Sequence, residues 1–262
     1  MHPMLNIAVR AARNAGKIIA RSFEEIDMIE TSQKGSNDFV TNVDRDAENA
    51  IIATIRKSYP DHSIVGEEFG ENKGDNNDYQ WIVDPLDGTT NFIKGIPHFS
   101  VSIALKVKGK LDQAVIYDPM RGELFTASRG AGAQLNGYRI RCSKAKEIEG
   151  TVLATGFPHK SKHRLDAYLG MFKDFFIDTS DIRRSGSAAL DLAYVAAGRV
   201  DGFWEMNLKP WDTAAGQLLV QEAGGMITDF AGGTQFDKSG DIIAAGPKLT
   251  RHMVKTVRSH LG

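Results

Sequence analysis

Apolar residues recur at helical spacing from the start of the chain. Leu5, Ala8, Ala12, Ala15, Ile18 and Ile19 share one face, which predicts an amphipathic helix over about 4–23. Ala47, Ile51, Ile52 and Ile55 repeat the pattern ahead of Pro60 and predict a second helix over about 45–58. The stretch from Gly70 to Tyr79 is polar and turn-rich and reads as a surface loop. The period then changes to two. Phe99, Val101, Ile103, Leu105 and Val107 alternate with smaller or polar residues, and strand-like stretches follow near 113–117, 123–127 and 133–140. Asn136-Gly137 is a hairpin-turn signal, so this half reads as an antiparallel or mixed meander. The second half alternates: a strand near 151–155, helices near 164–175 and 187–197, a strand near 200–205, a helix near 212–223, strands near 226–229 and 241–245, and a C-terminal helix. Helices segregated around two sheets imply a layered α+β architecture, because each sheet face needs a helical cover. No internal repeat and no Pro- or Gly-rich linker divides the chain, which reads as a single domain over 1–262 with subdomains of roughly 1–140 and 141–262.

Composition bounds what such a domain can do. At 262 residues, 42% hydrophobic and 25% charged, the chain has material for one large core or two fused halves. A formal net charge of -1 gives no global attraction to nucleic acid or membrane, so partners must be recognised locally. The single Cys142 excludes an intramolecular disulfide framework and fits a reducing compartment. No activating motif surrounds it, which argues against a nucleophile. The N-terminus opens directly into the amphipathic pattern, with no apolar signal core and no membrane-length span, and a cytoplasmic location is expected.

The run Trp81-Ile82-Val83-Asp84-Pro85-Leu86-Asp87-Gly88-Thr89-Thr90-Asn91-Phe92 carries the chemistry. An apolar run ending in an acid reads as a buried strand whose last carboxylate, Asp84, emerges at the sheet edge. Pro85 lacks an N–H and is expected to stop the ladder. Leu86 then offers its carbonyl, Asp87 a second carboxylate, and Gly88 and Thr89 backbone N–H groups and a hydroxyl. Oxygen-only ligands of this kind suit magnesium or manganese, not zinc. The same residue types also make an ordinary solvated turn. Upstream, Gly66-Glu67-Glu68 follows the apolar Ile64-Val65 and supplies a third carboxylate. Downstream, Asp212 opens an apolar helix, where it serves equally well as an N-cap. Asp38-Phe39-Val40-Thr41-Asn42-Val43-Asp44 reads as capping chemistry before the second helix. The seven histidines show no metal-ligand spacing, and His98 reads as a structural or rim residue. Ser128-Arg129-Gly130-Ala131-Gly132 is glycine-rich but lacks the Lys-Ser/Thr of a P-loop.

Taken together, these elements resemble the inositol monophosphatase family of metal-dependent, lithium-sensitive sugar phosphatases. Its two signatures are matched by Trp81 to Phe92 and by Trp211 to Gly225, the latter including Glu222-Ala223-Gly224-Gly225, and the resemblance covers essentially the whole chain. Gly186 to Tyr194 and Phe92-Ile93-Lys94 look closest to the bacterial SuhB-type branch. The resemblance implies a layered α/β/α/β/α sandwich, a homodimer, and magnesium as cofactor with manganese as a substitute. It implies a first magnesium on Glu67, Asp84 and the Leu86 carbonyl, a second on Asp84, Asp87 and Asp212, and a third, weaker one near Glu67. The implied nucleophile is water, activated by Thr89 hydrogen-bonded to Asp44 with Glu67 close by, and Lys34 is expected to orient water. Phosphate is expected on the N–H groups of Gly88 and Thr89, and polyol hydroxyls on Asp87, the N–H of Ala188 and Glu205. Glu205 also reads as a solvated acid after a strand.

The reaction so implied is hydrolysis of inositol 1-phosphate to inositol and phosphate. Superfamily relatives that prefer fructose bisphosphate, phosphoadenosine phosphate or histidinol phosphate are not excluded, though the compact length leans toward inositol monophosphate. The SuhB-type likeness carries a second implication: a role in transcription antitermination and ribosomal RNA biogenesis through RNA polymerase or Nus-type elongation factors, independent of catalysis. Arg183 and Arg184 are then candidate partner or dimer contacts, with substrate contact or a solvated pair as alternatives.

Overall fold

The structure, a computed structural model, describes residues 2–26, 31–35, 38–159 and 161–261, with the backbone alone for 31–35, 38 and 39. Helix α1 (Pro3–Glu24) takes Pro3 at its first position, where no N–H is needed, and buries the face carrying Leu5, Ala8, Ala12, Ala15 and Ile19. Strands β1 (Thr31–Gly35) and β2 (Asp38–Thr41) form an antiparallel pair. They lead into α2 (Asn42–Ser58), whose Thr41 cap and Asp44 satisfy each other's exposed N–H groups as a capping box. Strands β3 (His62–Gly66), β4 (Gly70–Asn72) and β5 (Asn76–Asp87) follow, then a short helix α3 (Thr89–Ile93). Strands β6 (Ser100–Val107), β7 (Lys110–Asp118), β8 (Glu123–Ser128), β9 (Gly132–Leu135) and β10 (Tyr138–Arg139) complete an eight-stranded sheet in the order β10-β9-β8-β7-β6-β5-β3-β4. It is a mixed meander: β3 and β5 run parallel and every other neighbouring pair is antiparallel. The polar 70–79 stretch is not a loop throughout, since it contains β4 and the beginning of β5. An exposed edge pairs through backbone groups and asks little of its side chains, so its composition concealed it.

The second half consists of β11 (Val152–Thr155), α4 (Leu165–Asp178), β12 (Asp181–Arg183), α5 (Ala188–Ala196), β13 (Gly202–Glu205), α6 (Pro210–Glu222), β14 (Met226–Thr228), α7 (Phe236–Ser239), β15 (Ile242–Ala245) and α8 (Pro247–Arg258). Its sheet has the order β12-β11-β13-β15-β14. Helices α1 and α2 cover one face of the large sheet, α5 and α6 lie between the sheets, and α4 and α8 cover the far face of the small one. The chain is therefore an α/β/α/β/α sandwich, with a separate apolar core at each level. Ile19, Ile51, Trp81, Val83 and Phe99 fill the first, Ile82, Leu192, Phe203 and Leu218 the second, and Tyr168, Phe175, Trp204 and Met253 the third.

Strand β5 joins this scaffold to the chemistry. Asp84 pairs with Ser102 of β6 and Asp87 with Ser100, so three steps along β5 match two along β6. That mismatch is a β-bulge around Pro85 and Leu86. Pro85 thus interrupts the ladder without ending the strand, and Asp84 is buried within it rather than emerging at the sheet edge. The bulge also resets the alternation of side chains. Val83 and Leu86 both enter the core beneath α1 and α2, which leaves Asp84 and Asp87 together on the face that carries Ile82. In a regular strand, residues three apart would lie on opposite faces. The shared face looks toward α6, whose Trp211 carbonyl accepts the Ser102 hydroxyl at 3.2 Å.

The central helices approach closely at Gly216, where a Cβ would lie 2.5 Å from both Cβ and Cδ1 of Leu192. Gly216→Val is expected to destabilise the fold by about 1–3 kcal/mol through overpacking. Urea denaturation checks this: a lowered midpoint with an unchanged slope is the expected outcome.

Candidate active site

Three segments carry carboxylates to the seam between the large sheet and α6. Glu67 directly follows β3, Asp84 and Asp87 occupy the bulged end of β5, and Asp212 sits in the first turn of α6. Asp84 is 1% exposed, and its Oδ1 accepts the Leu86 N–H at 3.0 Å. Burial first, then the charges of Glu67, Asp87 and Asp212, push its carboxyl well above the usual range. The Oδ2 of Asp87 accepts the Ser187 hydroxyl at 2.5 Å and the Ala189 N–H at 2.8 Å. Burial still raises Asp87 to about 6, although those bonds and one from the Ala188 N–H act against it. Asp212 accepts the Lys209 N–H at 2.6 Å, so the capping role holds, but at the third helical position and not at the N-cap. The turn after Glu67 is pinned from α2. Glu48, fully buried, accepts the N–H groups of Glu68 and Phe69 at 2.9 and 3.0 Å. Sequence reasoning missed Glu48, whose one signal is an acid on the apolar face of a helix.

A buried acid pressed by three others favours either a proton or a cation. The donors here are carboxylates and the Leu86 carbonyl, the hard oxygen set that magnesium and manganese take together with water and substrate oxygens. Among the described residues, no three His, Cys, Asp or Glu side chains are closed into a preformed cage. The fit rests on the shared field at Asp84 and on the chemistry of the donors.

Asp44 has two duties. Its Oδ2 accepts the Thr41 N–H at 2.8 Å and the Thr41 hydroxyl at 2.5 Å, and its Oδ1 lies 3.1 Å from the Thr89 hydroxyl. The capping and site readings of this segment therefore describe opposite edges of one carboxylate. The Thr89 hydroxyl also lies 3.0 Å from the Leu86 carbonyl, and its single proton can serve one acceptor at a time. Burial raises the Asp44 carboxyl, and its hydrogen bonds only partly counter this. Lys34 belongs to β1, and its side chain lies outside the described residues.

Beside Asp87, Ala188 and Asp212 opens a cavity of about 200 Å³. Glu205 borders it from the end of β13, packed against Gly156, where a Cβ would lie 2.0 Å from its Oε1. Enclosure and the neighbouring Asp212 push Glu205 up to about 8, with Arg184 acting against them, so it is not a freely solvated acid. The arginine pair divides. Arg184 lines the cavity mouth, with its guanidinium 5.3 Å over the Phe157 ring and 3.3 Å from His159 Nε2. Arg183 is exposed and ion-paired with Asp181. His98 is not among the lining residues and rests its ring edge on Tyr194. Asp191 does line the cavity, and sequence reasoning gave it no role. Its signal was a lone acid inside the apolar run from Ala188 to Val195. No helix among the described residues is long and apolar enough to cross a membrane.

A model of the inositol monophosphatase family matches residues 1–261. An Escherichia coli K12 protein described as Nus factor SuhB is 60% identical over 261 residues, spanning 100% of this chain and 98% of its own length. The solved structure of extragenic suppressor protein suhB from Bartonella henselae superposes with a TM-score of 0.96 at 44% identity, covering 98% of this chain and 99% of that one. Staphylococcal IMPase-II, solved with inositol monophosphate bound, gives a TM-score of 0.82 at 26% identity, with coverage of 99% and 95%. Likeness over the full length thus joins the layered fold and the acidic seam, and the chain belongs to the inositol monophosphatase family.

Proposed function

We propose that this chain is a magnesium-dependent phosphomonoesterase that hydrolyses inositol 1-phosphate and similar small polyol monophosphates. The observation that carries the reading is Asp84, buried and crowded by Glu67, Asp87 and Asp212, a position in which its charge needs a cation beside it. The inositol monophosphate held by the staphylococcal relative supports the substrate class. Magnesium, or manganese in its stead, held by Glu67, Asp84, Asp87, Asp212 and the Leu86 carbonyl, supplies positive charge against the phosphate oxygens and makes neighbouring water more acidic.

The remaining steps fall to the chain. The N–H groups of Gly88 and Thr89, opening α3, receive the phosphate. Thr89 takes a proton from the attacking water as it passes its own to Asp44 Oδ1, and burial makes Asp44 a better base than a free aspartate. As the water oxygen bonds to phosphorus, the bond from phosphorus to the polyol oxygen breaks, and that oxygen takes a proton from water in the cavity, the hydroxide so left being neutralised by the proton that Asp44 received. No covalent intermediate with the protein is needed. Asp87 Oδ1, Ala188 and Glu205 hold the polyol hydroxyls, while Lys34 orients water.

A second reading is carried by the likeness to the E. coli protein described as a Nus factor. Here the outer surface, with Arg183 and Arg184 as the first residues to test, docks on the transcription elongation machinery whether or not the cavity is active.

Phosphate release from inositol 1-phosphate is expected to need magnesium and to fall by at least on the order of a thousandfold in Asp87→Asn, the equivalent of several kcal/mol. An unchanged rate would sink the mechanism, and no release by the native protein would sink the substrate class. Stability provides a second check. Asp87 and Glu205 bind protons in the fold at pH values where the unfolded chain has released them, up to about 6 and about 8. In chelator, stability is therefore present below about pH 4 and is lost as pH rises through those values. Thermal melts are expected to drop by on the order of 5 °C between pH 5.5 and 8.5, with magnesium restoring more at 8.5. For the second reading, an elongation factor is expected to bind the native and Asp87→Asn proteins alike. Binding by neither would remove it.

A further inference from the structure

Beyond the carboxylates assigned to the cation, the cavity holds two more: Glu205 at the end of β13 and Asp191, one turn into α5. Asp191 is the more deeply buried of the two, and like Glu205 it differs from Asp44, Asp84 and Asp87. It is 2% exposed, yet among the described residues no hydroxyl, N–H or cation is bonded to its carboxylate. Asp84 has the Leu86 N–H, Asp87 has Ser187 and Ala189, and Asp44 has Thr41 and Thr89. The charges of Glu205 and Asp87 oppose its own, and the favourable charge of Arg184 sits at the cavity mouth over Phe157. A buried carboxylate without a donor is unfavourable, and such a group persists where a ligand supplies the missing donor.

Resting on the phosphatase reading, we propose that Asp191 is a substrate-binding residue that sets specificity: with Glu205 it accepts hydroxyl protons from a polyol ring whose single phosphate lies toward Asp87 and Thr89. A hydroxyl suits both acids, being a neutral donor small enough for a cavity of about 200 Å³. A second phosphate on the ring would bring its negative charge against two buried acids, neither of which offers it a cation. Asp191 therefore selects by exclusion as well as by attraction, favouring a monophosphorylated polyol over a bisphosphorylated sugar.

The test compares the native protein with Asp191→Ala and Asp191→Asn on inositol 1-phosphate and on fructose 1,6-bisphosphate, with magnesium. Asp191→Ala is expected to raise KM for the monophosphate by about tenfold, the size of one lost hydrogen bond to a charged group, and to leave kcat within about twofold. Asp191→Asn keeps an acceptor and is expected to raise it less. Preference for monophosphate over bisphosphate is expected to fall in both variants. Their thermal midpoints without substrate are expected to match or exceed the native value, because an acid buried without a donor has been removed. An unchanged KM in Asp191→Ala overturns the proposal, as does a lowered midpoint in both variants, which marks a structural role. Should the native protein release no phosphate, the phosphatase reading fails separately. Inositol 1-phosphate binding, read as a thermal shift with magnesium, then decides the matter: a smaller shift in Asp191→Ala supports the proposal and equal shifts reject it.

Discussion

Repulsion among the acids around Asp84 is what the surrounding elements must contain. Four carboxylates from three segments would separate if any segment were free to move, and each is tied down differently. Asp84 and Asp87 ride on β5, an interior strand of the eight-stranded sheet held between β3 and β6. Asp87 is also fastened across a hundred residues of sequence to the start of α5. Asp212 is bonded into the first turn of α6, and the turn after Glu67 hangs from Glu48. Helices α2, α5 and α6 all begin near the seam, and their positive ends partly offset the gathered negative charge.

That arrangement explains what could be read in the sequence. Periodicity alone revealed α1, α2 and the alternation of the second half, because those elements are amphipathic and local spacing decides their faces. The metal-ligand candidates were legible because Asp84, Leu86 and Asp87 are close in sequence. What escaped depended on partners far away. The bulge at Pro85 exists only relative to Ser100 and Ser102 of β6. Strand β12 is three residues long and is defined by its pairing with β11. Glu48 and Asp191 looked like acids intruding on apolar helix faces, and only the turn packed against one and the cavity beside the other give them meaning. Glu205 read equally well as a solvated acid until Gly156 and the cavity wall were seen to enclose it.

The cavity has contrasting ends. Its inner wall is acidic, and enclosure there raises the carboxyls of Asp191 and Glu205. Its mouth carries the Arg184 guanidinium, the His159 imidazole and the face of Phe157. An incoming anion meets the favourable charge first and the unfavourable charge afterwards.

The extra residue in β5 has a bearing on how this chain can vary over time. The side chains at 85 and 86 matter less than the fact that two residues separate Asp84 from Asp87. Losing one residue there would match two steps against two, a regular ladder that keeps Asp87 on the face of Asp84 but abolishes the bulge and the turn that brings the Leu86 N–H onto Asp84. Gaining one would carry Asp87 a step further from Ser187. What the stretch between the two acids must keep is therefore a count of residues, together with an apolar side chain at 86 for the core beneath it.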